Sequence, residues 1–306
     1  MKEKTMFEVL TKAATFVAII LLGYILRRAG FFREQDFYTL SKLVLKIALP
    51  ASIVANFSQA SLSPSMLIFS LLGFGGGVIY VAVGWLMNAR KGPEQKAFDL
   101  LNLSGYNIGN FTMPFAQGFL GSTGVVTTSL FDTGNAFVCL GGAYSIAKMI
   151  KGGKVAPGPL LKTLVRSLPF DAYIIMTILS MAHISLPSLV VSFAQTVGNA
   201  NAFLAMLMIG VGFKLSGDFS QIRHMVRILT VRYGIALALA LGFYFLLPMD
   251  VAYRQALVVL ALSPIASAVP AFTGDLGEDV GLSSAINSIS IVISIVLITT
   301  ALVILL

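Results

Sequence analysis

Asn107 and Asn110 lie within one helical turn of each other in an apolar run, in the stretch Gly105-Tyr-Asn-Ile-Gly-Asn-Phe-Thr-Met-Pro114. Side-chain amides beside a helix-breaking proline suit one kind of chemistry, the holding of a small polar solute away from water. A proline inside a helix removes a hydrogen bond and clashes with the preceding turn. With Gly105 and Gly109 ahead of it, the expectation is that 105–113 unwind and that Pro114 restarts the helix near its first turn. The restarted half-helix would aim free N–H groups and a positive dipole end at the middle of the segment, which suits a carboxylate. The pattern recurs in Ser263-Pro-Ile-Ala-Ser-Ala-Val-Pro270. There Pro264 and Pro270 bracket 265–269, and Ser263 and Ser267 are the only polar side chains. Both distal prolines begin P-x3-G-x-L-G, at Pro114 to Gly121 and at Pro270 to Gly277. The plain alternative is two ordinary proline kinks. The matched sequence after both favours a paired site.

Charged residues in apolar runs are the next candidates. Asp132 is the acidic residue placed deepest in such a run, with Asn135 at i, i+3. This pair could bind and release a proton or a sodium ion, or it could be a hydrogen-bonded packing pair. Asn287 follows Asp132 by 155 residues, close to the repeat offset, and could face the same cavity. Lys46 has Lys42 one turn below it and Pro50 one turn above. It either snorkels to an interface or faces the cavity, attracting an anion or pairing with Asp132. His183 and His224 each stand alone in sequence, and the single cysteine, Cys139, leaves no disulfide or thiolate metal site. Zinc, nucleophile-elbow and paired-carboxylate signatures are missing, so the reading is not an enzyme and needs no metal or other cofactor.

The elements that position these residues follow from composition. The chain is 57% hydrophobic and 11% charged with a mean hydropathy of +0.89, against about 25% charged for a soluble domain. An all-α polytopic membrane protein is therefore expected, because helices satisfy their own backbone in hydrocarbon. Nucleic acid is not the expected partner of the net charge of +8. These cations flank apolar runs. Ten runs qualify as spans, near 7–26, 37–58, 66–87, 97–119, 124–147, 170–187, 190–213, 228–248, 252–274 and 282–305. The glycines from Gly73 to Gly77 lie inside the third and fit close helix packing better than a phosphate loop.

The polar stretch after Lys148 divides the spans into two groups of five. Residues 1–150 form one repeat, 151–168 a cytoplasmic linker and 169–306 the second repeat. An odd number of spans per repeat means that the second copy enters the bilayer inverted. Odd-numbered connections carry most loop cations, among them Arg27, Arg90, Lys151, Arg166 and Lys214. The other face has little beyond Arg254, with Lys2, Lys4 and Lys12 at the N-terminus. The positive-inside rule places both termini outside the cytoplasm.

Taken in order, Leu49-Pro50, Asn107-Ile-Gly-Asn-x3-Pro114, Leu120-Gly121, Leu186-Pro187, Ile209-Gly210 and Pro270 resemble the auxin efflux carrier family. That family includes plant PIN proteins and bacterial malonate-transporter-like permeases within the bile acid/auxin transporter superfamily. The resemblance implies ten helices as two inverted five-helix repeats, with broken helices four and nine crossing at a central site. It also implies a scaffold of helices 1, 2, 6 and 7, which can form a homodimer, and a moving set of helices 3–5 and 8–10. Members carry small organic anions. The related sodium–bile acid symporters place a glutamate in broken helix nine. No acidic residue lies between Tyr253 and Gly274 here, which favours proton over sodium coupling.

The expected function is thus a secondary transporter of small organic anions, carboxylates first among them, working by alternating access in the plasma membrane. The alternatives are a ligand-binding membrane receptor that moves nothing and a sodium-coupled symporter of the bile-acid type.

Overall fold

The computed structural model describes residues 2–33, 35–60, 62–154, 157–213 and 221–306. Lys214, Val155 and Ala156 lie outside the described residues, as do the side chains of Lys2 and Lys4. All regular structure among the described residues is helical. In chain order the helices are α1 (Lys2–Arg28), α2 (Asp36–Phe57), α3 (Pro64–Met87), α4 (Pro93–Leu103), α5 (Met113–Phe137), α6 (Ala143–Ile150) and α7 (Pro157–Val165). They continue with α8 (Leu168–Met181), α9 (Ser188–Gly212), α10 (Ile222–Leu246), α11 (Val251–Ala261), α12 (Val269–Asp275) and α13 (Val280–Leu305).

Among the described residues, six helical segments are long and apolar enough to cross a bilayer: Phe7–Arg28 of α1, then α2, α3, α9, α10 and α13. They coincide with expected spans one, two, three, seven, eight and ten. The other four expected spans fall on shorter or interrupted helices. Span four is α4 followed by a break and a π turn, and span nine is α11, a break and α12. Span six is the 14-residue α8. Span five lies largely in α5 and α6, with non-helical backbone inside it at Gly141 (φ 155°) and just ahead of it at Gly121 (φ 60°, ψ −152°). The glycines and prolines that give these segments their interruptions also shorten them.

Large apolar side chains point outward, including Leu71, Leu189 and Phe193 at 66%, 80% and 69% exposed. In hydrocarbon that exposure costs nothing, so small residues rather than apolar burial decide which helices touch. A Cβ on Gly210 would lie 2.0 Å from the Ile20 carbonyl oxygen, which fixes α1 against α9. Gly198 gives α9 the same intimacy with Ser52 of α2. Gly73 and Gly134 do so between α3 and α5, where added Cβ atoms would sit 2.0 Å and 1.8 Å from the Phe131 and Ser70 carbonyl oxygens. The cluster beginning at Gly73 is thus a packing surface.

Candidate functional site

Two interrupted helices meet inside this bundle. The first helical half of each ends without a continuous successor: α4 stops at Leu103 and α11 at Ala261. Residues 104–107 have no regular structure before a π turn, Ile108–Thr112, leads into α5. The restart therefore comes six residues before Pro114, not at it. The Thr112 N–H reaches back five residues to the Asn107 carbonyl at 3.2 Å, and this widened turn accommodates a proline that has no N–H to give. The orphan donors of the restarted helix are consequently the N–H groups of 108–111, which have no intrahelical carbonyl. Span nine restarts at Val269 with Pro270 in the first turn, as expected. Gly105 turns the first break with φ +77°, and a Cβ there would press on Ala266 at 3.3 Å.

The backbone of both breaks is buried, so its polar groups need partners. The Asn107 N–H bonds the Pro264 carbonyl at 3.0 Å, joining one break to the other. Asn110 Nδ2 donates to Ser267 Oγ at 3.1 Å, and the hydroxyls of Thr112 and Ser263 pair. Asn135 serves Tyr106 as a second strand would: Oδ1 accepts the Tyr106 N–H and Nδ2 donates to the Tyr106 carbonyl, both at 3.1 Å. Asn287 does the comparable work on the other break, donating to the Ile265 and Ala266 carbonyls at 3.0 and 3.2 Å. Ser290 accepts the Ile265 N–H and Ser294 donates to the Leu262 carbonyl.

Arg232 of α10 completes the junction and was not among the residues singled out from sequence. It is fully buried. Nη1 donates to the Leu103 carbonyl at 2.5 Å, and Nη2 donates to those of Ser263 and Pro264 at 3.0 and 3.3 Å. Its guanidinium carbon lies 4.2 Å from the ring centroid of Tyr80 and 5.2 Å from that of Tyr106. Lys46 does not pair with Asp132. It is exposed, with no ion-pair partner among the described residues, though both line one cavity. Asp132 Oδ1 accepts from Asn135 Nδ2 at 2.8 Å, and Oδ2 accepts from Tyr173 OH of α8 at 3.0 Å. His224 is not alone either, since its Nε2 lies 2.5 Å from buried Asp99 Oδ1.

Two cavities adjoin the junction. One, about 290 Å³, is lined by Lys46, Asn107, Gly109, Asn110, Asp132, Asn135, Arg166, Tyr173 and Ser267 among others. The other, about 180 Å³, is lined by Arg27, Asn107, Asn110, Ser267, Pro270 and Asn287 among others. Asn107, Asn110 and Ser267 belong to both. Pro114, Ser263 and Pro264 line neither; they shape the junction behind it. Asn110 Oδ1 is buried with no hydrogen-bond partner among the described residues, an acceptor left open where the cavities meet. Away from these cavities, contacts close the bundle. Gln117 Nε2 donates to the Gly198 carbonyl, and Gln117 Oε1 accepts from Asn201 Nδ2. Phe16 stacks edge-on against Phe115 and Phe119.

The sequence matches the model of a family described as membrane transport protein over residues 8–304. It is also 28% identical over 294 residues to an uncharacterized transporter of Methanothermobacter thermautotrophicus, covering 92% of this chain and 93% of the relative. The protein is therefore a multi-pass membrane protein and a transporter, and its chain belongs to this membrane transport family of auxin efflux carrier-like proteins.

Proposed function

We propose that this transporter moves small organic anions, carboxylates in particular, by alternating access at the junction of the two broken helices. One observation carries the reading: Asn107, Asn110 and Ser267 line both cavities, so a solute bound to them sits at the meeting point of the two. The N–H groups of 108–111 and the Asn107 amide would hold the carboxylate, with Lys46 and Arg166 drawing it into the larger cavity. Ten spans arranged as two inverted five-helix repeats, 1–150 and 169–306 about a 151–168 linker, are part of the same proposal. So are a scaffold of spans 1, 2, 6 and 7, able to dimerise, and a plasma-membrane orientation with both termini outside the cytoplasm.

The larger cavity reaches Arg166 and Ser167, and the smaller one reaches Arg27 and Phe213. Arg27, Arg166 and Ser167 belong to connections that the positive-inside rule puts in the cytoplasm, and Phe213 ends span seven on that same side. The arrangement is accordingly inward-facing, with Gln117, Asn201 and the Phe16 cluster as the closed outer side. Asp132 is the coupling group. Ionised, it accepts from both Asn135 and Tyr173. A proton turns one oxygen into a donor and loosens the link to Tyr173, so proton occupancy biases the relative movement of α5 and α8. Sodium is not required in this scheme.

Reconstituted protein given labelled mono- and dicarboxylates under separate proton, sodium and voltage gradients tests the proposal. Uptake of at least one carboxylate driven by a proton gradient is expected. No uptake of any anion under any gradient removes the reading.

A further inference from the structure

The cation at the junction is part of the chain. Leu103 is the last residue of α4, and Ser263 and Pro264 follow the end of α11, so two helix C-termini converge with carbonyls that have no intrahelical N–H. Each such end carries a partial negative charge. In carriers built on broken helices, carbonyls of this kind are where a coupling cation can bind. Here they are filled by the Arg232 guanidinium, whose three hydrogen bonds all go to backbone oxygens of the two breaks. No carboxylate pairs with Arg232 among the described residues. Two aromatic faces, those of Tyr80 and Tyr106, flank it.

We infer that Arg232 is a tethered cation occupying a built guanidinium site at the helix junction, and that its charge is the fixed countercharge of the transported anion. The inference rests on the junction being the anion site, as proposed above. A neutral donor could satisfy the carbonyls. A fully buried charge without a counter-ion is costly, and helix ends, aromatic faces and an arriving anion together offset that cost. The route to the anion is short: the Pro264 carbonyl accepts from both Arg232 Nη2 and the Asn107 N–H. A free sodium ion has no vacancy to fill at these carbonyls while the guanidinium holds them.

The first test needs no transport. Purified Arg232→Ala is melted in detergent with millimolar guanidinium chloride, and with sodium chloride at the same ionic strength. The expected result is a saturable rise of the melting midpoint with guanidinium in Arg232→Ala, and none in the unmodified protein. A folded Arg232→Ala that responds to guanidinium no more than the unmodified protein does overturns the inference. If Arg232→Ala does not fold, Arg232→Gln and the unmodified protein carry the test in vesicles. Arg232→Gln should raise KM for the transported carboxylate about thirtyfold or more, the scale of a buried charge losing its partner. Uptake by the unmodified protein should be unchanged when N-methylglucamine replaces sodium. An unaltered KM in Arg232→Gln, or uptake that requires sodium, overturns the assignment. Failure of all carboxylate uptake removes the anion reading and leaves the guanidinium melt as a separate result.

Discussion

Replacing Asn135 by alanine should cost more stability than any other single amide deletion at the junction. Its side chain makes three hydrogen bonds, one each to the Tyr106 N–H, the Tyr106 carbonyl and Asp132. Asn135 and Tyr106 are both about 1% exposed, so deleting the amide leaves two buried backbone groups without their protein partner. An orphaned buried donor or acceptor costs about 1–3 kcal/mol; two backbone groups therefore cost about 2–6 kcal/mol before the loss at Asp132 is counted. Asn287→Ala is the internal control. It leaves the Ile265 carbonyl without its side-chain donor, whereas the Ala266 carbonyl keeps the Val269 N–H. One orphan implies about 1–3 kcal/mol. Both variants should be melted in the same detergent, with midpoints read from tryptophan or dye fluorescence. The order should be unmodified protein, then Asn287→Ala, then Asn135→Ala. Asn135→Ala should also lose most carboxylate uptake, because the Tyr106 backbone sets the position of Asn107. An Asn135→Ala midpoint equal to that of the unmodified protein refutes the idea that the amide stands in for a second strand.

Four further outcomes follow from the same geometry. Asp132→Asn should remove the proton dependence of uptake; retention of the full dependence takes the coupling role away from Asp132. Tyr173→Phe breaks the contact between α8 and the Asp132 carboxylate, and is expected to change the pH profile of uptake with little loss of melting temperature. Gly105→Ala forces a Cβ into a left-handed residue and onto Ala266. It should destabilise by roughly 1–2 kcal/mol from backbone strain alone, seen as a lower melting midpoint. Cys139 lines the larger cavity and is the chain's single cysteine. A membrane-impermeant thiol reagent should label it from the side of Arg166, a transported carboxylate should slow the labelling, and equal labelling from both sides contradicts an inward-facing cavity.

Legibility in the sequence tracked the cost of each residue in an apolar setting. Prolines and amides are expensive inside membrane helices, so Pro114, Pro270, Asn107 and Asn110 marked the junction to within a few residues. The restart at Ile108 was not readable, because a π turn leaves no compositional sign; only the five-residue reach from Thr112 to Asn107 reveals it. Tyr80 and Tyr173 carry no sequence signal that separates them from other aromatics in apolar runs, although the Tyr173 hydroxyl reaches Asp132. Arg232 was missed for two reasons. It follows Arg223, His224 and Arg227 on α10 and so resembles one more cation at a membrane edge. Its partners are backbone carbonyls, which have no letter in the sequence. Asp132 and Asn287 seemed the symmetric pair from their spacing, yet by the bonds they make Asn135 and Asn287 are the equivalent pins. Asp132 is left free to face the cavity and Tyr173. Under the proposed alternating access this division has a use: amides would hold the broken backbone throughout, and the carboxylate would change partners with its proton.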